Sequence, residues 1–171
     1  MRKDGAAMRG LKIAAIASVS LLLVMVLLVG YLFLTAEVSV TDVAVQGVSA
    51  AEDPAAFETL KNAVLEETFQ GTLYQKPLTW EDASEYVYLT YTLRIRNDCL
   101  VPIDMIEVQV VPQATDILQT ADLSVKSLGA KSEGDLTVQI LAPKDTHPVR
   151  ELIVTYYVWG VSFNLKTTYG M

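Results

Sequence analysis

A run of 24 uncharged residues, Ile13–Ala36 (IAAIASVSLLLVMVLLVGYLFLTA), lies between Lys12 and Glu37 and constrains this chain more than any other feature. As a helix it would be about 36 Å long at about 1.5 Å per residue, enough to cross a hydrocarbon core of about 30 Å with some tilt. Fourteen of the 24 residues are Leu, Ile, Val or Phe. At about −0.3 to −0.6 kcal/mol each they favour insertion by roughly 4–8 kcal/mol, before position and polar residues are counted. A secretory signal has an apolar stretch of only about 7–15 residues ending in a small-x-small cleavage site. Cleavage after Ala36 would put the bulky Leu34 at the third position back. The expectation is therefore an uncleaved signal-anchor.

Charge sets the expected orientation. Arg2, Lys3, Arg9 and Lys12 precede the run with only Asp4 against them, a net of +3, and the first basic residue after it is Lys61. Positive flanks stay in the cytoplasm. The expected arrangement is a basic cytoplasmic tip (1–12), a transmembrane helix (13–36) and an extracytoplasmic domain (37–171) of the cell membrane, crossing once. Tyr31 and Phe33 suit the headgroup boundary at the outer end. Gly10, Ala14 and Ser18 recur at four-residue spacing on one helix face, the small-residue pattern that allows close helix approach. A weak homodimer through the anchor is the partner this face implies.

With a net charge of −7 overall, the 135 residues after the run carry −10. So acidic a domain repels nucleic acid, which is excluded as a partner, and repels anionic lipid. Cys99 is the single cysteine, so no intramolecular disulfide can form. The domain must be held by its core.

Within that domain the apolar residues alternate. Val38 and Val40, then Val43 and Val45, predict one strand with a phase change at Thr41–Asp42, or two short ones. Asp53 as cap and Pro54 at the first helical position start a helix over residues 54–69, striped by Phe57, Leu60 and Val64 and ended by Gln70–Gly71. An irregular connection (72–84) follows. From Glu85 to Asn97, Val87, Leu89, Tyr91, Leu93 and Ile95 face one way and Tyr86, Tyr88, Thr90 and Thr92 the other. Further strands are expected around residues 103–111, 117–119, 123–128, 135–141, 151–159 and 161–165. Seven or eight short strands predict a mainly β fold: an antiparallel immunoglobulin-like β-sandwich with one inserted helix.

Residues 89–142 carry a resemblance to known families. Asn97 in a strand-ending turn, Pro102–Ile103 opening the next strand, and Gly129 before Thr137–Val138 resemble bacterial immunoglobulin- or fibronectin-III-like surface modules. They are also similar to water-stress, late-embryogenesis-abundant-type sandwiches. Both resemblances imply a scaffold, with no catalytic residue to carry over.

No catalytic constellation is legible. His147 is the lone histidine and lacks a clustered partner for metal or triad chemistry. The pairs Glu52–Asp53, Glu66–Glu67 and Glu81–Asp82 are adjacent in sequence, which does not make two carboxylates face one cleft. No cofactor, metal or nucleotide motif is present. The candidate binding residues are aromatic: Tyr86, Tyr88, Tyr157 and Trp159 point away from the expected core. Either they form a binding patch, or the 54–69 helix covers the tyrosines. The function expected is a non-enzymatic binding, adhesion or assembly module with a protein partner in the cell envelope. The competing reading is a subunit of an envelope enzyme or carbohydrate-processing complex.

Overall fold

The alternation seen in the sequence becomes two antiparallel sheets in the computed structural model of the chain, which describes residues 3–75, 80, 82–121 and 126–169. Helix α1 spans Lys3–Leu34, and the chain divides between Glu37 and Val38 into this helical unit and a β unit. Within α1, Gly10–Leu34 forms 25 residues of mean hydropathy 2.8, long and apolar enough to cross a membrane, and none of it is buried.

The first sheet has the order β1 (Val38–Ser49), β3 (Tyr86–Asn97), β7 (Glu133–Pro143), β5 (Leu118–Thr120), β2 (Gly71–Leu73). The second runs β6 (Lys126–Leu128), β4 (Ile103–Val110), β8 (Glu151–Val158), β9 (Val161–Thr168). The phase change in β1 is a bulge: Val38, Val40, Val43 and Val45 pair with Asn97, Ile95, Leu93 and Tyr91, with the register slipping between Val40 and Asp42. One extra residue thereby keeps all four valines on the face that meets the second sheet. That shared core holds Leu89, Tyr91, Leu93 and Ile95 of β3, Leu136, Val138 and Ile140 of β7, Ile106 and Val108 of β4, and Leu152, Val154 and Val158 of β8, all buried.

Two side-chain amides cross between the sheets or their loops. Gln119 on β5 donates from Nε2 to the Val108 carbonyl (3.2 Å) and accepts the Val110 N–H (2.9 Å) and the Tyr74 hydroxyl (2.8 Å) at Oε1. Asn97 is fully buried, donating to the Val101 (3.0 Å) and Gly129 (2.8 Å) carbonyls and accepting the Cys99 N–H (2.9 Å). Each satisfies otherwise orphaned backbone groups, as burial demands. Cys99 is itself buried beside this turn.

Helix α2 (Pro54–Leu65) starts as expected, with Pro54 at its first position and Asp53 Oδ1 accepting the Ala56 N–H at 3.0 Å. It stops four residues short of the expected 54–69. Glu67 adopts φ 57°, while the N–H groups of Glu67 and Thr68 bond the Val64 and Ala63 carbonyls. This left-handed closure ends a helix without needing glycine, at the strain of a Cβ in that region. The expected irregular connection also holds the short strand β2. Its Gly71 (φ 151°) approaches so close to the Gln119 carbonyl that a Cβ would collide with it. The expected strand over 123–128 falls partly outside the described residues, and its described part is β6.

Candidate functional site

The four candidate aromatics lie in two separate places. Tyr86 and Tyr88 stand on the outer face of β3, where α2 lies over them. Phe57 of α2 is 1% exposed, stacks on Tyr86 at 5.5 Å between ring centroids, and meets Trp80 at 5.7 Å. Leu118 and Leu141 on β5 and β7, with Leu60, Val64, Phe69, Leu73 and Tyr88 packed around, complete a second small core outside the first sheet. The helix stripe and the outward tyrosines are thus two halves of one apolar layer. Burial raises the pKa of both phenols, with Glu85 adding to the effect at Tyr86 and Asp53 at Tyr88.

Tyr157 and Trp159 belong to the other sheet. Tyr157 is half-buried on the outward face of β8, opposite Asp104 of β4. Trp159 is expected from sequence as a strand residue, but β8 ends at Val158. Because Val158 pairs with Val161, Trp159 and Gly160 form a two-residue hairpin turn. Their φ angles of 48° and 80° are the left-handed pair such a turn requires. A glycine fits the second position; a tryptophan at the first is unusual, since asparagine or aspartate ordinarily fills it.

The end of the sandwich at which β1 begins therefore gathers more apolar surface than the sequence indicated. Register places the end of β3, the starts of β4, β7 and β9, and the end of β8 at this same end. Here Leu100, Met105, Trp159 and Val161 are 58%, 56%, 52% and 48% exposed. Leu100 carried no sequence signal, because a turn residue has no alternation to place it; Met105 is outward in phase with the inward Ile106 and Val108, and the bulge between Asp104 and Glu107 adds Asp104 to the outward side.

At the opposite end lies an ion pair with both side chains fully buried. Arg150 donates to both Asp116 carboxylate oxygens (Nε–Oδ2 2.8 Å, Nη2–Oδ1 2.6 Å) and through Nη1 to the His147 and Val149 carbonyls. The Gln113 N–H also reaches Asp116 Oδ2 at 2.8 Å. Tyr91 donates to the Pro148 carbonyl at 2.7 Å. The network ties the loop after β4 to the loop before β8 and uses all of its polar groups in doing so, which is structural work. His147 belongs to the same loop, accepting the Val149 N–H at Nδ1 (3.3 Å).

The sequence-adjacent carboxylates also serve local structure. Asp53 caps α2, and Asp82 accepts the Ser84 N–H at 2.8 Å, a bond that holds its carboxyl below the usual range. Glu66 and Glu67 form the α2 terminus, and Glu81 lies outside the described residues. Among the described residues no group of three or more His, Cys, Asp or Glu side chains is placed to hold a metal ion. An open groove of about 420 Å³ between β4 and β7 has Glu107 and Lys126 as its charged lining, and Ala121 and Lys126 on its wall flank residues 122–125. Gly10, Ala14 and Ser18 are all exposed on α1, and a Cβ at Gly10 would meet nothing within 4 Å.

No protein-family model and no curated protein sequence matches the chain.

Proposed function

We propose that this chain is a single-pass membrane protein whose β unit is an extracytoplasmic, immunoglobulin- or fibronectin-III-like module for binding or assembly at a cell envelope, without catalysis. One observation carries the reading. A helix apolar on all sides, with none of its 25-residue membrane-length segment buried, leads within three residues into a self-contained sandwich. So much apolar surface has no place in water. Four basic residues before it and none until Lys61 after it support the orientation.

The strand order supports the immunoglobulin-like type. Taking β1, β3, β4, β6, β7, β8 and β9 as strands A, B, C, C′, E, F and G, the sheets read A-B-E and C′-C-F-G. Strands β2 and β5, with α2, are additions on the E side. The single cysteine, Cys99, is buried in the turn after β3, so the module has no counterpart of the inter-sheet disulfide of antibody domains and relies on packing and on Asn97 and Gln119 to join its layers.

Expression with a C-terminal tag tests this reading. The full-length chain should stay in the membrane pellet after alkaline carbonate, and protease added outside intact cells should remove the tag. Cross-linking before solubilisation should then capture an envelope protein. Release by carbonate, together with an N-terminus beginning after the apolar run, would identify that run as a cleaved signal and overturn the anchor.

A further inference from the structure

We infer that the β1-start end of the sandwich inserts its apolar tips, led by Trp159, into the interface between water and a zwitterionic lipid bilayer. The inference rests on the anchor reading above and extends it from a tether to a docked domain.

Four observations carry it. First, the exposed apolar residues at this end occupy separate tips, Leu100 on the β3–β4 turn and Trp159 and Val161 on the β8–β9 hairpin, while Met105 near the start of β4 lines the groove beside them. Scattered tips make a poor rigid protein interface, which needs a packed, complementary centre, whereas a fluid interface moulds around them. Second, backbone strain is concentrated here. Of the described non-glycine residues with left-handed φ, Met105 (50°), Lys131 (55°) and Trp159 (48°) lie at this end, and only Glu67 lies elsewhere. A left-handed backbone is unfavourable for a residue with a side chain as bulky as tryptophan's, and strain of this kind collects at functional sites.

Third, covalent reach delivers this end to the membrane. Thr35, Ala36 and Glu37 alone separate Leu34 of α1 from Val38 of β1, and Val38 pairs with Asn97, the residue that opens the Leu100 turn. Four Cα steps extend at most about 14 Å. Fourth, chemistry selects the lipid. Trp prefers the headgroup boundary of a bilayer. The charges of the β unit near the tips are Asp98, Asp104 and Glu133 against Arg96 and Lys131, and Arg96 already pairs with Asp98 at 3.0 Å. That balance disfavours an anionic surface, so docking is apolar and insensitive to salt.

The chain contains two tryptophans, neither of them in α1, and Trp80 is buried beneath α2, 6% exposed. The full-length protein in phosphatidylcholine vesicles, with bromine near the top of the acyl chains, therefore reports on Trp159. Lipid bromine should quench part of the tryptophan emission, equally in low and high salt. Trp159→Phe should abolish that quenching, and Leu100→Glu should diminish it, with both variants still resistant to carbonate extraction. Absence of quenching in a carbonate-resistant chain would overturn the docking and leave the anchor intact. Trp159 shielded from aqueous iodide only at high protein-to-lipid ratio would assign this end to a second copy of the chain and also overturn it. Release by carbonate would overturn the anchor reading itself.

Discussion

Arg150 shows how a single side chain can hold two loops at a buried position. Its guanidinium is fully enclosed with Asp116, so removing either partner strands a charge away from water. Arg150→Met should destabilise the fold by about 3–5 kcal/mol, measured by denaturant unfolding of the detergent-solubilised chain, while replacing both residues with apolar ones should cost much less. Nearby, burial pushes the Tyr91 phenol up from the ordinary 10 to about 12, and Tyr74 likewise. The folded state thus favours the neutral phenol. This contribution is complete below pH 10 and is lost as pH rises from 10 towards 12. Unfolding should become easier across that window. Tyr91→Phe should flatten the pH dependence while lowering stability at neutral pH by about 1 kcal/mol, through the unsatisfied Pro148 carbonyl. A match between wild type and Tyr91→Phe through the alkaline range would count against this account.

Helix α2 depends on the sheet for its stability, since twelve residues are too few to be helical alone. Phe57 is its main anchor. Phe57→Ala should cost about 3–5 kcal/mol and expose Trp80, visible as a red shift of its fluorescence. An unchanged spectrum would mean that α2 contributes little to the cover. At the other end of the same helix, Glu67 holds a left-handed φ of 57° on an exposed position. Glu67→Gly relieves that strain and should raise stability by about 0.5–1 kcal/mol, read as a higher melting temperature with unchanged helix content.

For the molecule as a whole, protection should follow the layers. Strands β3, β7, β4 and β8 are central in their sheets and carry most of the shared core, whereas β2 and β6 are three-residue edge strands. Amide hydrogens of the central four should exchange only through global unfolding, and those of β2 and β6 much faster through local opening. Hydrogen exchange on the solubilised chain measures this directly. Uniform protection across both sheets would contradict it. The same layering separates roles: one end of the sandwich is closed by the Arg150–Asp116 network, and the other displays strained apolar tips.

Much of this was legible before the structure. The apolar run, the charge step across it, the bulge at Thr41–Asp42 and the Asp53–Pro54 helix start are all local signals: hydropathy, alternation and capping act over a few residues and survive in any tertiary context. The helix end was misplaced because the left-handed closure at Glu67 uses no glycine. Tyr86, Tyr88, Tyr157 and Trp159 looked like one aromatic set because alternation says only which side of its strand a residue faces. Which sheet each strand joins, and what covers that side, depends on pairing between residues far apart in the chain. An apolar span joined to an acidic, β-rich domain is legible from residues alone, because burial period and charge are written residue by residue. That two of those tyrosines lie beneath α2, and that Leu100, Trp159 and Val161 share the end where β1 begins, follows from the tertiary structure. Long-range strand register alone brings such residues together.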